Sequence, residues 1–401
     1  MYTASSNQRI EVLDLLRGFA IFGILLINIQ SFALPSVAYL NPFALDLSID
    51  QPWSLEAWVY YIGHILADQK FMAIFSMLYG AGIALIDNKM QDRALPYLLK
   101  RHLVLAIIGF MHGYFIWGGD ILLSYAICGV IILPFRRFSY RALVLGALIL
   151  FFVPVIITMA TSYFLSYLPL HEMELLETEW AGSQQSIEQE VSLVTGSWTQ
   201  IQEARIDALK SMYLDVFPYY SFWRTTALML VGIALFKCGL FEGRLPRQVL
   251  IKIASVLSVF SLVIIVLGLS QNLRFDWSMQ HTLFAGSLPN YFGSVMLGLA
   301  YICWLMAYKR IFKSSVRNAL TMVGKTALSN YLLQSIICGF IFFGYGISRF
   351  NELNRLELLG VVLFVWCVQL FLTKVWLINY RVGPVEWLWR KAIRFGVCVK
   401  S

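Results

Sequence analysis

The sequence predicts an all-α, polytopic integral membrane protein of about ten transmembrane helices, with N- and C-termini cytoplasmic. Three observations carry that class. Hydrophobic residues make up 59% of the 401 and charged residues only 13%. Mean hydropathy is +0.69. A soluble domain cannot hide that much apolar surface. The apolar residues also fall in runs near the roughly 20 residues that a helix needs to cross a bilayer. Finally, Lys and Arg cluster in alternate connecting segments.

Taken in order, the runs cover about 12–33, 57–86, 97–117, 121–135, 142–162, 216–237, 249–269, 282–307, 319–345 and 358–378. The second is too long for one upright helix. It reads as an interfacial segment from Ser54 to Ala67 followed by a span from Asp68. The fourth is short. With the N-terminus inside, the cytoplasmic segments hold 22 of the 31 Lys+Arg residues, Arg9, Arg310, Arg394 and Lys400 among them. The outer segments hold five: Arg205, Lys210, Arg274, Arg349 and Arg355.

The runs divide the chain into an N-terminal half, 1–162, a polar outer segment, 163–215, and a C-terminal half, 216–401. The acidic stretch from His171 to Asp215 should form short external helices, one of them started by a capping box at Ser186–Gln189. Its simplest role is a solvated spacer between the halves. No internal repeat or low-complexity tract is evident.

Composition also excludes functions. The net charge of +8 comes from short loops and not from one dense patch, so a nucleic-acid partner is not expected. The six cysteines form no C-x-x-C and mostly sit in apolar runs, so they read as small buried hydrophobes. No metal site is expected. The N-terminus is a poor signal peptide, entered through Asp14 and Arg17. G-x-S-x-G, H-E-x-x-H and phosphate-cradling glycine loops are missing.

Polar residues inside spans are costly and need a partner or a task. In the first span Asp14, Arg17, Ile21, Leu25 and Asn28 step by three or four and share one stripe, which cannot face lipid. Asp14 and Arg17 form an i,i+3 pair at the cytoplasmic end, and Arg17 offers a planar donor fork to an anion such as a phosphate. Asn28 lies about 21 Å further along. In GFMHGYFIWGGDILLSY, His112 shares a short hairpin with Asp120, and such a pair can serve as base or nucleophile. Gly109 and Gly113 suit close helix approach.

Lys70 beside Asp68 suggests a buried pair. Arg224 is placed to neutralise Asp120 or an anionic ligand. Lys325 and Asn330, in GKTALSNYLLQ, sit near the inner face, where Lys325 suits nucleotide phosphates or lipid headgroups. His64 and His281 read as interfacial, and His102, after Lys100 and Arg101, as part of a solvated basic end.

Through these and neighbouring residues the chain resembles the YeiB-like family of bacterial inner-membrane proteins. The matching pieces are LDLLRGFAIFGILLIN at the start, YLNP at 39–42, KFMAIFSMLYGAG at 70–82, HGYFIWGGDIL at 112–122, GKTALSNYLLQS at 324–335 and GPVEWLWR at 383–390. The first-helix pattern, D-x-x-R-G followed ten residues later by Asn28, is also similar to that of heparan-α-glucosaminide N-acetyltransferase and other transmembrane acyltransferases. That resemblance implies transfer of an acyl group from cytosolic acyl-CoA, as co-substrate, to a small-molecule or glycan acceptor at the outer face. It places Asp14, Arg17 and Gly18 at the donor end and Asn28 near the transfer centre, and it implies a homodimer. The enzyme's catalytic histidine follows its first span and precedes its second. Residues 28–50 here hold no histidine, so His112 would substitute from another helix.

The expectation is therefore an acyltransferase of the bacterial inner membrane. His112, Asp120 and Asn28 are its catalytic candidates, and Arg17, Asp14, Lys325 and Asn330 face acyl-CoA. Lys70 and Arg224 face the acceptor. Two rivals stand beside it: an exporter of a small metabolite, since intramembrane charge is equally expected there, and a non-catalytic scaffold or sensor that uses residues 171–215 as its contact site.

Overall fold

The computed structural model describes residues 6–45, 53–309 and 311–394, with the side chains of 6–10 and 394 left aside. Arg9, Arg310, Arg394, Cys398 and Lys400 thus lie, wholly or by their side chains, outside the described residues. Among the described residues the fold is helical throughout.

The first half runs α1 (Ser6–Ala33), α2 (Ser36–Leu40), α3 (Leu55–Leu66), α4 (Lys70–Met90), α5 (Ala94–Phe115), α6 (Leu122–Ile132) and α7 (Tyr140–Leu165). Residues 163–215, expected to lie outside the membrane, form α8 (Leu170–Ala181), α9 (Gln184–Val194) and α10 (Trp198–Lys210), and a π-helical stretch, Ser211–Ser221, follows. The second half holds α11 (Phe222–Lys237), α12 (Arg247–Arg274), α13 (Met279–Thr282), α14 (Leu288–Tyr308), α15 (Ser314–Lys325), α16 (Ala327–Phe342), α17 (Arg355–Asn379) and α18 (Pro384–Arg394).

Six helical stretches among the described residues are long and apolar enough to cross a membrane, one of them the composite Leu55–Phe115. α1 is the central one, with 67% of its apolar window buried, against 17–22% for α7, α12 and α17 at the periphery. Lipid tails are as apolar as leucine, so packing in a bilayer relies on close van der Waals approach through small residues. α4 and α11 cross in that way. A Cβ on Gly80 would lie 1.9 Å from the Met229 carbonyl oxygen, and one on Gly232 would lie 1.9 Å from that of Met77. Gly18 and Gly324 let α1 and α15 meet with the same intimacy.

The long second run divides as expected. α3 ends at Leu66, Gln69 takes the left-handed φ of 64°, and α4 starts at Lys70. The ninth run also divides, which the sequence reading did not anticipate. Glu386 of α18 accepts the Leu328 and Ser329 amide hydrogens at 2.7 and 3.1 Å, and the Thr326 hydroxyl bonds back to Met322 and Val323 carbonyls. Those bonds replace intrahelical partners and start a fresh helix at Ala327.

The outer segment forms short helices, as expected, but the expected capping box at Ser186 is corrected. Gly182, at φ 80°, ends α8, and the next helix starts at once with Ser183 as its N-cap. Ser186 therefore sits inside α9. A capping box forms instead at Ser197 and Gln200. Nor does the segment behave as a solvated spacer. Glu190 accepts from the Ser36 amide at 3.0 Å, the Trp180 indole donates to the Trp277 carbonyl at 2.8 Å, and Glu177 accepts from the Met279 amide at 3.0 Å. These bonds hold it against one end of the bundle. Cys128, Cys303 and Cys338 are buried and unpaired.

Candidate functional site

The Asp14–Arg17 pair forms at one end of α1, with Arg17 Nη1 2.9 Å from Asp14 Oδ1. Asp14 is buried, while 28% of the Arg17 side chain stays accessible. Lys325 is exposed at the end of α15, and Asp14 interacts electrostatically with both Lys325 and Arg390 of α18. This end of the bundle gathers Arg17, Lys325 and Arg390 around Asp14, with Glu11 4.0 Å from Arg317 beside them.

The stripe above it faces protein, as its polarity required. Ile21 and Leu25 are sealed in the core, at 1% and 0% exposure, and the Ile21 carbonyl accepts from Gln334. Among the described residues the stripe is closed at that level. Asn28, further along, is half-buried, and its side chain makes no hydrogen bond among the described residues.

Asn330 is brought into a different setting. Its amide donates to the Thr326 and Thr373 hydroxyls at 2.8 and 3.1 Å, and its oxygen accepts from Gln369 at 3.2 Å. The group is consumed by a buried polar network joining α16 and α17.

His112 and Asp120 meet as the hairpin implied. Nδ1 lies 2.7 Å from Oδ1, and Asp120 Oδ2 accepts the Leu123 amide hydrogen at 2.8 Å. Both side chains are sealed. His112 packs against Tyr331, ring centroids 5.2 Å apart, and its Nε2 has no partner. Arg224 does not neutralise this pair. It donates to the Ser294 hydroxyl at 2.8 Å and lies over the Tyr291 ring. The solvated reading of His102 is also corrected. It is 1% exposed, with Nδ1 2.5 Å from the Leu98 carbonyl oxygen, because α5 turns that face onto the Tyr79 ring.

The residue that sequence reasoning undervalued is His64. Its Nδ1 is 3.2 Å from Asp68 Oδ2. Both residues line a cavity of about 160 Å³ at the end of α1 opposite Asp14, covered in part by Trp180 of α8. Lys70 is not directly paired with Asp68, as had been expected. Asn290 stands between them, accepting from Lys70 Nζ at 2.5 Å and donating to Asp68 Oδ2 at 2.7 Å. Tyr39, Tyr60, Trp180 and Trp277 supply aromatic walls, and Gln30, Gln69 and Asn272 supply amides. Arg355 buttresses the site from behind, lying 5.0 Å from the Tyr60 centroid and bonded to Gln30 and, at 3.1 Å, to the Ala38 carbonyl. The available signal was His64 and Asp68 at i,i+4, straddling the end of α3.

A carboxylate on one imidazole nitrogen leaves the other free to take a proton. His64 keeps 14% of its side chain accessible and can do so toward a ligand, whereas His112 is enclosed. Among the described residues no group of His, Cys, Asp and Glu could hold a metal ion.

Long apolar helices around buried polar centres define a multi-pass membrane protein. Residues 235–396 match the family described as protein of unknown function DUF418. The chain is homologous over nearly its full length to the uncharacterized protein YeiB of Escherichia coli (strain K12), 29% identical over 387 residues and covering 96% of both chains. It is similar to the uncharacterized protein YxaH of Bacillus subtilis (strain 168) at 28% identity, covering 96% of this chain and 94% of that one.

Proposed function

We propose that the protein crosses the bacterial inner membrane ten times and transfers an acyl group from cytosolic acyl-CoA to an acceptor at the outer face. The observation that carries this reading is one helix with two functional ends. Arg17 and Asp14 mark one end of α1, and the His64–Asp68 cavity adjoins the other, near Gln30. Sixteen residues of helix separate Asp14 from Gln30, about 24 Å.

In this reading Arg17 and Lys325 bind the donor's phosphates, and Asp14 orients Arg17. His64 Nε2 takes the proton from an acceptor hydroxyl or amine in the cavity. The acceptor atom bonds the acyl carbon, the C–S bond breaks, and the proton on Nε2 passes to the departing thiolate. Asn28 does not line this cavity, where α1 contributes Ile27 and Gln30, so it takes no part in the transfer step. The closed packing at Ile21 and Leu25 requires α1 to part from its neighbours when the donor arm enters, a gating motion of the kind that limits many enzymes. His64 replaces His112 as the base, because the sealed pair offers no surface to an acceptor.

Inside-out vesicles with labelled acyl-CoA test the reading. Transfer to an acceptor enclosed in the vesicle lumen, which is the outer face of the membrane, should be abolished in His64→Ala. Undiminished transfer there would remove His64 from the mechanism, and no transfer by the wild type across acyl donors of several lengths would remove the reaction itself.

A further inference from the structure

The structure assigns Asn290 as the positioning residue that holds the Asp68 oxygen against His64 Nδ1, with buried Lys70 fixing the orientation of Asn290; the value of this to catalysis rests on the proposed role of His64.

The geometry allows one arrangement of protons. An ammonium has only donors, so Lys70 Nζ, 2.5 Å away, must face the Asn290 oxygen. A carboxylate has only acceptors, so Asp68 Oδ2, at 2.7 Å, must face the Asn290 amide hydrogens. Turning the amide over would set donor against donor and acceptor against acceptor. Orientation of a side-chain amide is usually inferred from its surroundings; here both neighbours dictate it.

The oxygen that Asn290 holds is the one that His64 Nδ1 approaches at 3.2 Å. Held there, this acceptor-only oxygen draws the His64 proton to Nδ1. Nε2 is left with the lone pair. Lys70 also donates to the His64 backbone carbonyl at 2.6 Å, so the same ammonium anchors the turn that carries the imidazole. Lys70 is 0% exposed and Asn290 4%, so their mutual bond is shielded from water, while Asp68 keeps 19% of its side chain accessible at the cavity. Other titratable groups around the pair are Tyr39 and Tyr60 in the cavity wall, Tyr220 on Gln69, Arg224 over Tyr291 and Arg355 over Tyr60.

Nitrogen-15 NMR of protein labelled at its five histidines, reconstituted in nanodiscs, reads the state directly. His64→Gln identifies the signal. The wild type should show His64 as the single Nδ1–H tautomer. Asn290→Leu should lose that single state and give a mixture. Asn290→Asp keeps the volume and the Lys70 partner but loses the donor to Asp68 Oδ2, so the His64 signal should again depart from the single Nδ1–H state. A wild-type His64 in the Nε2–H tautomer would overturn the assignment without any variant. So would an unchanged His64 signal in a folded Asn290 variant, with the other four histidine signals serving as the folding control. Transfer activity is scored apart: an inactive wild type with the expected tautomer removes the acyl-transfer reading and leaves the assignment standing.

Discussion

His112 Nδ1 and Asp120 Oδ1 stand 2.7 Å apart with each side chain only 1% exposed. This closest His–carboxylate contact among the described residues is a sealed one. Removing one partner of such a pair leaves an uncompensated buried group, at a cost of about 3–5 kcal/mol. His112→Ala and Asp120→Leu should each lower the apparent melting temperature of the purified protein, and the double variant should fall less than the sum of the two. Strict additivity would mean that the contact contributes nothing.

Glycine at the α4–α11 crossing is required by space. Gly80→Ala would place a methyl group 1.9 Å from the Met229 carbonyl oxygen, so the helices must separate. Overpacking of this kind costs about 1–3 kcal/mol. Gly63→Ala, where a Cβ meets nothing within 4 Å, is the control and should stabilise α3 by up to about 1 kcal/mol. Thermal unfolding of the two variants should move in opposite directions.

Glu386 joins α18 to the start of α16, and burial pushes its carboxyl above the ordinary value of 4.5. A raised acid binds its proton more tightly when folded. Its stabilising contribution is thus complete below 4.5 and lost as pH rises through the folded value. Glu386→Gln imitates the protonated form and still accepts the two amide hydrogens. It should melt no lower than wild type at neutral pH, and the two curves should converge in acid. Glu386→Ala leaves those hydrogens unpaired and should melt lower throughout. A wild type that gains on Glu386→Gln as pH rises would contradict the sign.

Arg205 pins the outer segment. The guanidinium carbon lies 4.8, 5.5 and 5.6 Å from the centroids of Trp198, Tyr345 and Phe343. Cation–π contacts contribute about 0.5–2 kcal/mol. Lysine keeps the charge without the planar fork, and methionine keeps only bulk. Proteolysis within 170–210 should therefore accelerate in the order wild type, Arg205→Lys, Arg205→Met. Equal cutting rates would show that the segment is held without this residue.

The sequence by itself determined whatever is encoded over a few residues. The apolar runs located the long helices, helical spacing paired Asp14 with Arg17, and a hairpin eight residues across brought His112 to Asp120. The stripe on α1 was likewise readable as a protein-facing surface. Only the tertiary structure decided which polar groups are open and which are closed. Asn290 reaches Asp68 across 222 positions, Glu386 reaches Leu328 across 58, and Trp180 meets the Trp277 carbonyl across 97. Helix periodicity sets the face on which a residue lies, but not which distant helix covers that face. His64 and His102 show the consequence. Both looked peripheral by their neighbours in the chain, yet packing lines a cavity with the first and buries the second. A polar side chain acquires its role from the partners that desolvation obliges it to find, and those partners lie far away in sequence.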